Sequence, residues 1–193
     1  MIDIEIKLPT TRQLEEELQR VKYRFKYKKI LKSTIYVLVI VIALSVLVST
    51  LIFPVLEIYG DSMTPTFSEG DVVVTVKKSK FETGDIIAFY YNNRILVKRV
   101  IAISSEWVNI DDEGNVFVND ELLEEPYIEE KSYGDTDIVF PYQVPEGSYF
   151  VLGDQRVNSI DSRNSLIGSI SEEDIISKVI FKVWPLKSFG IVK

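Results

Sequence analysis

The sequence predicts a mainly β protein: an antiparallel β-sheet domain carried behind one N-terminal transmembrane helix, with a short cytoplasmic amphipathic helix before that span. Three observations carry this. Ile35 to Phe53, "IYVLVIVIALSVLVSTLIF", contains no charge. From Asp71 onward, short runs rich in Val, Ile, Phe and Tyr alternate with turn residues. Neither a βαβ alternation nor an internal repeat interrupts them, so a parallel sheet is not expected.

The leading segment opens with Thr10 and, three residues on, Gln13, the pattern of a capping box. Leu14, Leu18, Val21 and Phe25 then recur at spacings of four, three and four, one face of a helix. Two heptads are short for a coiled coil; a basic helix of this kind can lie on lipid headgroups, the alternative being a partner-binding helix. The uncharged run after it would span about 28 Å as a helix, close to the ~30 Å hydrocarbon core of a bilayer. A buried core helix would show a polar stripe, and a cleavable signal peptide would have a shorter apolar region followed by small residues. Pro54-Val-Leu-Glu-Ile-Tyr59 follows instead. Lys22, Arg24, Lys26, Lys28, Lys29 and Lys32 precede the run without an acid among them, and the first Lys after it is Lys77. Basic residues beside a span stay on the cytoplasmic side. The expected organisation is a cytoplasmic juxtamembrane segment at 1–33, an anchor at 34–56 and an extracytoplasmic β-domain at 57–193, single-pass in the cell membrane.

Within that domain the predicted strands are 71–78, 85–91, 94–103, 115–119, 148–153 and 174–183. Asn92-Asn93 reads as a turn and Asp111 to Asn115 as a hairpin loop. The acidic, Pro-containing stretch 120–147 reads as an excursion from the sheet, part of a small insertion or flap over about 104–147.

Composition narrows the chemistry. The chain has 193 residues, no Cys and no His. That removes a disulfide framework, a thiolate nucleophile and the usual zinc ligands, and no carboxylate spacing suggests a metal site; no cofactor is expected. Residues 1–33 carry nine Lys/Arg against five Asp/Glu, whereas 34–193 carry 13 against 24, a net −11. An acidic folded part argues against nucleic acid as a partner.

The stretch Gly60 to Phe67, "GDSMTPTF", comes soon after the anchor and contains Ser62. Alone it reads as a turn, although Gly60 permits close backbone approach and a serine in a tight turn can present its own N–H to an oxyanion. Without His, a neutral lysine can activate such a hydroxyl. Lys98 is the candidate, because it lies in "ILVKRVIAI", apolar on both alternating faces and so expected to be buried on both. At the reference pKa of about 10.4, roughly one lysine in 2,500 is neutral at pH 7; a value near 8 makes it about one in ten, for a differential cost of ~3 kcal/mol. The alternatives for Lys98 are a lysine that snorkels at a strand end or one that pairs with an acid. A third segment, "LGDQRVNSIDSRNSLIG" (152–168), offers Asp154, Arg156, Ser159, Asp161 and Arg163, either a rigid supporting network or a charged surface loop.

"GDSMTPT", "GDIIAF" (84–89), "KRVIA" (98–102) and "GDQRVNSIDSR" (153–163), in this order behind an anchor and closed by "VWPLKSFG" (183–190), resemble bacterial type I signal peptidases of the Gram-positive kind. The resemblance covers about Ile35 to Lys193. It implies the signal-peptidase type of β-domain, and a membrane-anchored serine endopeptidase that cleaves secreted preproteins after small residues at −3 and −1. Ser62 would be the nucleophile and Lys98 the general base. Ser159 would hydrogen-bond the lysine amine, Asp161 and Arg163 would pair, and Asp154 and Arg156 would be further scaffold. The Ser62 N–H would serve the oxyanion, and Met63 would line the pocket for the residue at −1. Some family members carry a serine two residues before the nucleophile; here Gly60 stands there, so a second donor would be backbone or missing. Gln155 and Ser104-Ser105-Glu106 also depart from the family pattern without touching the pair. The competing functional reading is a non-catalytic or narrow-substrate relative serving surface-protein or pilus assembly.

Overall fold

The structure, a computed structural model, describes residues 10–77 and 80–192, and at 48–52 the backbone alone. Residues 1–9 of the leading segment and Lys78, at the end of one predicted strand, lie outside the described residues. The chain divides into two compact units, Met1–Val48 and Ser49–Lys193.

The two helices expected from the sequence are one continuous helix, α1 (Thr11–Ile52). No Gly or Pro occurs within it, so nothing breaks it between the basic segment and the apolar run; Pro54 comes just after its end. The capping pattern is used in one direction: the Thr10 N–H donates to Gln13 Oε1 at 3.0 Å. Leu14, Leu18, Val21 and Phe25 form an exposed stripe. Arg12–Glu16 and Arg20–Glu17 are exposed pairs that contribute little. The helix is long and apolar enough to cross a membrane, and its apolar window buries nothing within the protein.

The second unit contains twelve described strands: β1 (Val55–Glu57), β2 (Val72–Val76), β3 (Ile86–Tyr91), β4 (Arg94–Ala102), β5 (Trp107–Ile110), β6 (Val116–Val118), β7 (Glu121–Leu122), β8 (Tyr142–Gln143), β9 (Ser148–Leu152), β10 (Ile170–Ser171), β11 (Ile175–Trp184) and β12 (Gly190–Ile191). All pairings are antiparallel. The larger sheet runs β1-β2-β11-β3-β4-β9-β10, with β12 on β11, and a smaller sheet runs β7-β6-β5-β8. The smaller sheet lies wholly within the stretch expected to be an insertion. Asn92 and Asn93 both take positive φ, as the two-residue hairpin between β3 and β4 requires.

Alternation sorts the side chains. On β9, Phe150 and Leu152 join Ile101, Val108 and Val116 in a cluster shared with the insertion, whereas Tyr149 and Val151 join Phe81, Ile87 and Phe89 on the other face. A third cluster, Ile58, Met63, Phe67, Val73, Ile86 and Val179, packs under the β1–β2 end. The pairing of β4 is uneven along its length. It pairs with β3 from Arg94 to Arg99, but with β9 only from Arg99 to Ala102, with a bulge between Val100 and Ala102. Residues 94–98 therefore have a strand partner on one side only.

Candidate active site

The loop between β1 and β2 holds Gly60 to Phe67. Its neck is closed by Ile58 N–H to Asp71 O (2.8 Å) and Gly70 N–H to Ile58 O (2.9 Å). Thr64 N–H to Asp61 O (2.9 Å) and Phe67 N–H to Met63 O (2.8 Å) wind the chain tightly. Gly60 sits at φ +80°, in the left-handed region that glycine enters at little cost. Met63 and Phe67 are buried apolar anchors, and Lys182 donates to Thr66 O at 2.9 Å while pairing with Asp71 at 2.6 Å. The loop is thus fixed at both ends and along its length, which fixes Ser62 between.

Ser62 Oγ lies 2.6 Å from Lys98 Nζ. Lys98 is 3% exposed, on the part of β4 next to the unpaired edge. Burial pushes its pKa from 10.5 down to about 8; Asp161 opposes the shift, Arg163 adds to it, and Asp154 and Asp61 oppose it. At that value about one molecule in ten carries the neutral amine at pH 7. The Ser62 N–H donates to no acceptor among the described residues, so it is available to an oxygen brought to Oγ.

A cleft of about 690 Å³ leads to the pair, walled by Val55 to Gly60 on one side and Arg94 to Lys98 on the other, with Met63 at its base. Its lining is largely apolar. A second hollow of about 520 Å³ also reaches Ser62 and Lys98 and is bounded by Tyr91, Asn92, Asn158 and Ile160.

Behind the pair lies a buried ionic network. Arg99 donates to Asp154 through Nε (2.9 Å) and Nη2 (2.7 Å), and Asp154 accepts from the Thr66 hydroxyl. Arg163 binds Asp161 through Nε (2.8 Å) and Nη2 (2.9 Å). Arg156 pairs with Glu125, with one of its two contacts at 3.1 Å. The three arginines are each 1% exposed. Unlike surface pairs, partners here cannot be removed singly without leaving a buried charge. The network touches the pair through the backbone: the Gln155 N–H donates to Ser62 O at 3.1 Å, and the Gly153 N–H donates to Asp161 Oδ2 at 3.0 Å. A Cβ on Gly153 would collide with Ser159 and lie 2.5 Å from Ser62 O, so only glycine fits there.

Of the residues expected from the sequence, Gly60, Ser62, Met63 and Lys98 come together at the cleft, and Asp154, Arg156, Asp161 and Arg163 form the network beneath. The Ser159 hydroxyl is buried and makes no hydrogen bond among the described residues, so the expected bond to the lysine amine is not seen; Oγ lies beside Gly153. Four participants were not expected from the sequence: Thr66, Arg99, Glu125 and Tyr127, whose ring lies 3.8 Å from the Arg99 guanidinium. Among the described residues, no group of three or more carboxylates is arranged to hold a metal.

Fold and site together define an antiparallel β-domain with a serine–lysine pair at the end of an apolar cleft. Residues 31–184 match the family described as "Signal peptidase, peptidase S26". The chain is 35% identical over 159 residues to signal peptidase I U of Bacillus subtilis, covering 72% of this chain and 84% of that one. It is 35% identical over 153 residues to signal peptidase IB of Staphylococcus aureus, covering 68% and 78%. With thylakoidal processing peptidase 1 of Arabidopsis thaliana it shares 36% identity over 141 residues, 64% of this chain but only 40% of the plant protein. A crystal structure of a signal peptidase I from Enterococcus faecalis aligns over 51% of this chain and 96% of that one, with 30% identity and a TM-score of 0.44. The chain belongs to the S26 signal peptidase family, and its long apolar helix makes it a membrane-anchored protein.

Proposed function

We propose that this protein is a serine endopeptidase that removes N-terminal signal peptides from exported preproteins after small residues at −3 and −1, using Ser62 as nucleophile and Lys98 as general base. The observation that carries the reading is the 2.6 Å contact between Ser62 Oγ and a buried amine whose pKa lies near 8. In the neutral state Nζ accepts the hydroxyl proton as Oγ attacks the scissile carbonyl. The Ser62 N–H donates to the developing oxyanion, and a second donor at Gly60 would be backbone, since no side chain is there. The protonated Lys98 gives its proton to the departing amine, leaving an ester on Ser62. A water deprotonated by the same lysine then releases the acyl group.

Substrate binding is a consequence of the sheet. The free edge of β4 at 94–98 and the edge of β1 wall the cleft, so an extended peptide can add as a strand between them. Met63 and the adjacent backbone would leave room for a small side chain at −1. Orientation is read from the basic residues before the apolar run: residues 1–33 cytoplasmic, the β-domain at 57–193 outside, and the bilayer as the site where signal peptides are met. Anchoring enzyme and substrate in one membrane raises their effective concentration.

The test is cleavage of a preprotein ending its signal in Ala-X-Ala by the full chain in detergent, with N-terminal sequencing of the product. A cut at the expected bond, with phenylalanine at −1 or −3 reducing kcat/KM at least about a hundredfold, supports the reading. Cleavage indifferent to those positions counts against it.

A further inference from the structure

We propose that Glu125, brought in by the insertion, is a positioning residue for the Ser62–Lys98 pair, acting as the third carboxylate that balances three buried arginines beneath it. The inference rests on the Ser–Lys reading of the site.

The balance is visible in the geometry. Arg99, Arg156 and Arg163 face Asp154, Glu125 and Asp161, and all six side chains of the three pairs are 0–1% exposed. Asp154 and Asp161 come from the segment that contains Arg156 and Arg163. Glu125 does not: it lies 31 residues before Arg156, just after β7 in the insertion. There its carboxylate is gripped from two sides. Arg156 reaches it through both Nη1 and Nη2, and the Tyr127 hydroxyl donates to it at 3.0 Å while its ring covers Arg99. Two further insertion groups, the carbonyls of Ser132 and Tyr133, accept from Arg163 at 3.2 and 3.0 Å. The insertion therefore closes over the network on all three arginines.

From Glu125 the path to the pair is short. Arg156 Nε donates to Gly153 O at 3.0 Å, and Gln155, two residues on, holds the Ser62 carbonyl. Burial works against the Arg156 charge, and the hydrogen bond and charge of Glu125, together with Tyr127 and Asp161, more than offset it, holding its pKa above the ordinary value. If Glu125 loses its charge, Arg156 becomes a buried cation without its paired carboxylate. Asp161 is the other carboxylate acting on Arg156, and it is also the strongest attraction holding a proton on Lys98. The groups acting on Lys98 are Asp161, Arg163, Asp154 and Asp61. Neither Glu125 nor Arg156 is among these groups; the link is Asp161, which attracts both Arg156 and Lys98. An Arg156 charge left unbalanced beside Asp161 disfavours the ammonium, so the expected direction is that Lys98 titrates lower when Glu125 is neutral.

The experiment uses the full chain in detergent and two readouts. One is the pH dependence of kcat/KM on an Ala-X-Ala precursor. The other is the pKa of Lys98 measured by competitive amine labelling in a Ser62→Ala background, which needs no turnover. Glu125→Gln is expected to reduce kcat about tenfold or more with a smaller change in KM, and to move the acidic limb and the Lys98 pKa down together by about 0.5 unit or more. Glu125→Asp should stay near the parent, and Glu125→Gln/Arg156→Gln should return the pKa toward it by restoring neutrality. An unchanged limb and pKa in Glu125→Gln, or a double variant still shifted, overturns the proposal. Should Glu125→Gln not fold, the double variant and Glu125→Asp decide it: both are required to titrate like the parent. A parent protein whose Lys98 titrates near 10 would instead overturn the Ser–Lys reading itself.

Discussion

Replacing Lys98 by methionine removes a charge from a position that is 3% exposed while keeping an unbranched stem. Its effect on stability has a definite pH signature. The lysine titrates at about 8 in the folded protein and at 10.5 in its ordinary state. Between those values the unfolded chain holds a proton that the folded chain has lost, so stability rises with pH across that window. Below about pH 8 both states are protonated and the folded protein carries the whole cost of the buried ammonium. At about 1.36 kcal/mol per unit that cost is about 3 kcal/mol. Lys98→Met relieves it and loses about 1 kcal/mol with the contact to Ser62. The variant is therefore expected to be about 2 kcal/mol more stable at pH 7, and the difference should reverse by about 3 kcal/mol on going to pH 10.5. Other titrating groups are common to both proteins and cancel. Urea denaturation of the full chain in micelles, followed by fluorescence of the two tryptophans, Trp107 and Trp184, reads the β-domain directly. A stability difference that stays flat from pH 7 to 10.5 would refute the reasoning, since it would mean that Lys98 is not desolvated.

The same geometry makes three further outcomes expected. Asp154→Ala leaves Arg99 buried without its carboxylate and should cost about 3–5 kcal/mol in denaturation, far more than removing an exposed partner such as Glu16. Gly153→Ala forces a methyl against Ser159 and the Ser62 carbonyl; it should cost about 1–3 kcal/mol and depress kcat more than KM. The chain contains no cysteine, so single cysteines report topology cleanly: in intact cells an impermeant maleimide should label Glu129→Cys and leave Lys26→Cys unlabelled.

Much of this architecture is legible in the sequence because burial and strand periodicity are local properties. Six strands are long enough to show as β-rich runs, and observed β3, β4, β9 and β11 begin and end within about one residue of them. What escapes is short. β1, three residues between Pro54 and Gly60, reads as the tail of the span; β5 has only four residues, and β7, β8, β10 and β12 have two each, too few for a clear alternation. The continuity of α1 is written in the absence of Gly and Pro, although a change of composition at Ser33 suggests two helices. At the site, Ser62 and Lys98 announce themselves through a turn and a strand apolar on both faces. That same double burial demands a carboxylate for Arg99, a signal present in the sequence and easily passed over. Glu125 and Tyr127 offer none: "EEPYI" is acidic and Pro-containing, like a solvated loop, and its pairing with Arg156 is a long-range contact that sequence spacing does not encode. Ser159 illustrates the opposite case, a residue present in the right segment whose expected bond to the lysine amine is not seen.

The central claim is that Ser62 and Lys98 act as one unit. Its most direct test is cleavage of a single Ala-X-Ala preprotein by the purified full chain, Ser62→Ala and Lys98→Ala, with folding of each checked by near-ultraviolet circular dichroism. Processing by the parent is expected, with its loss, by at least about a thousandfold, in both variants while the fold is retained. Near-parent processing by either folded variant would contradict the claim, because the proton of Ser62 would then have another acceptor or the attack another nucleophile.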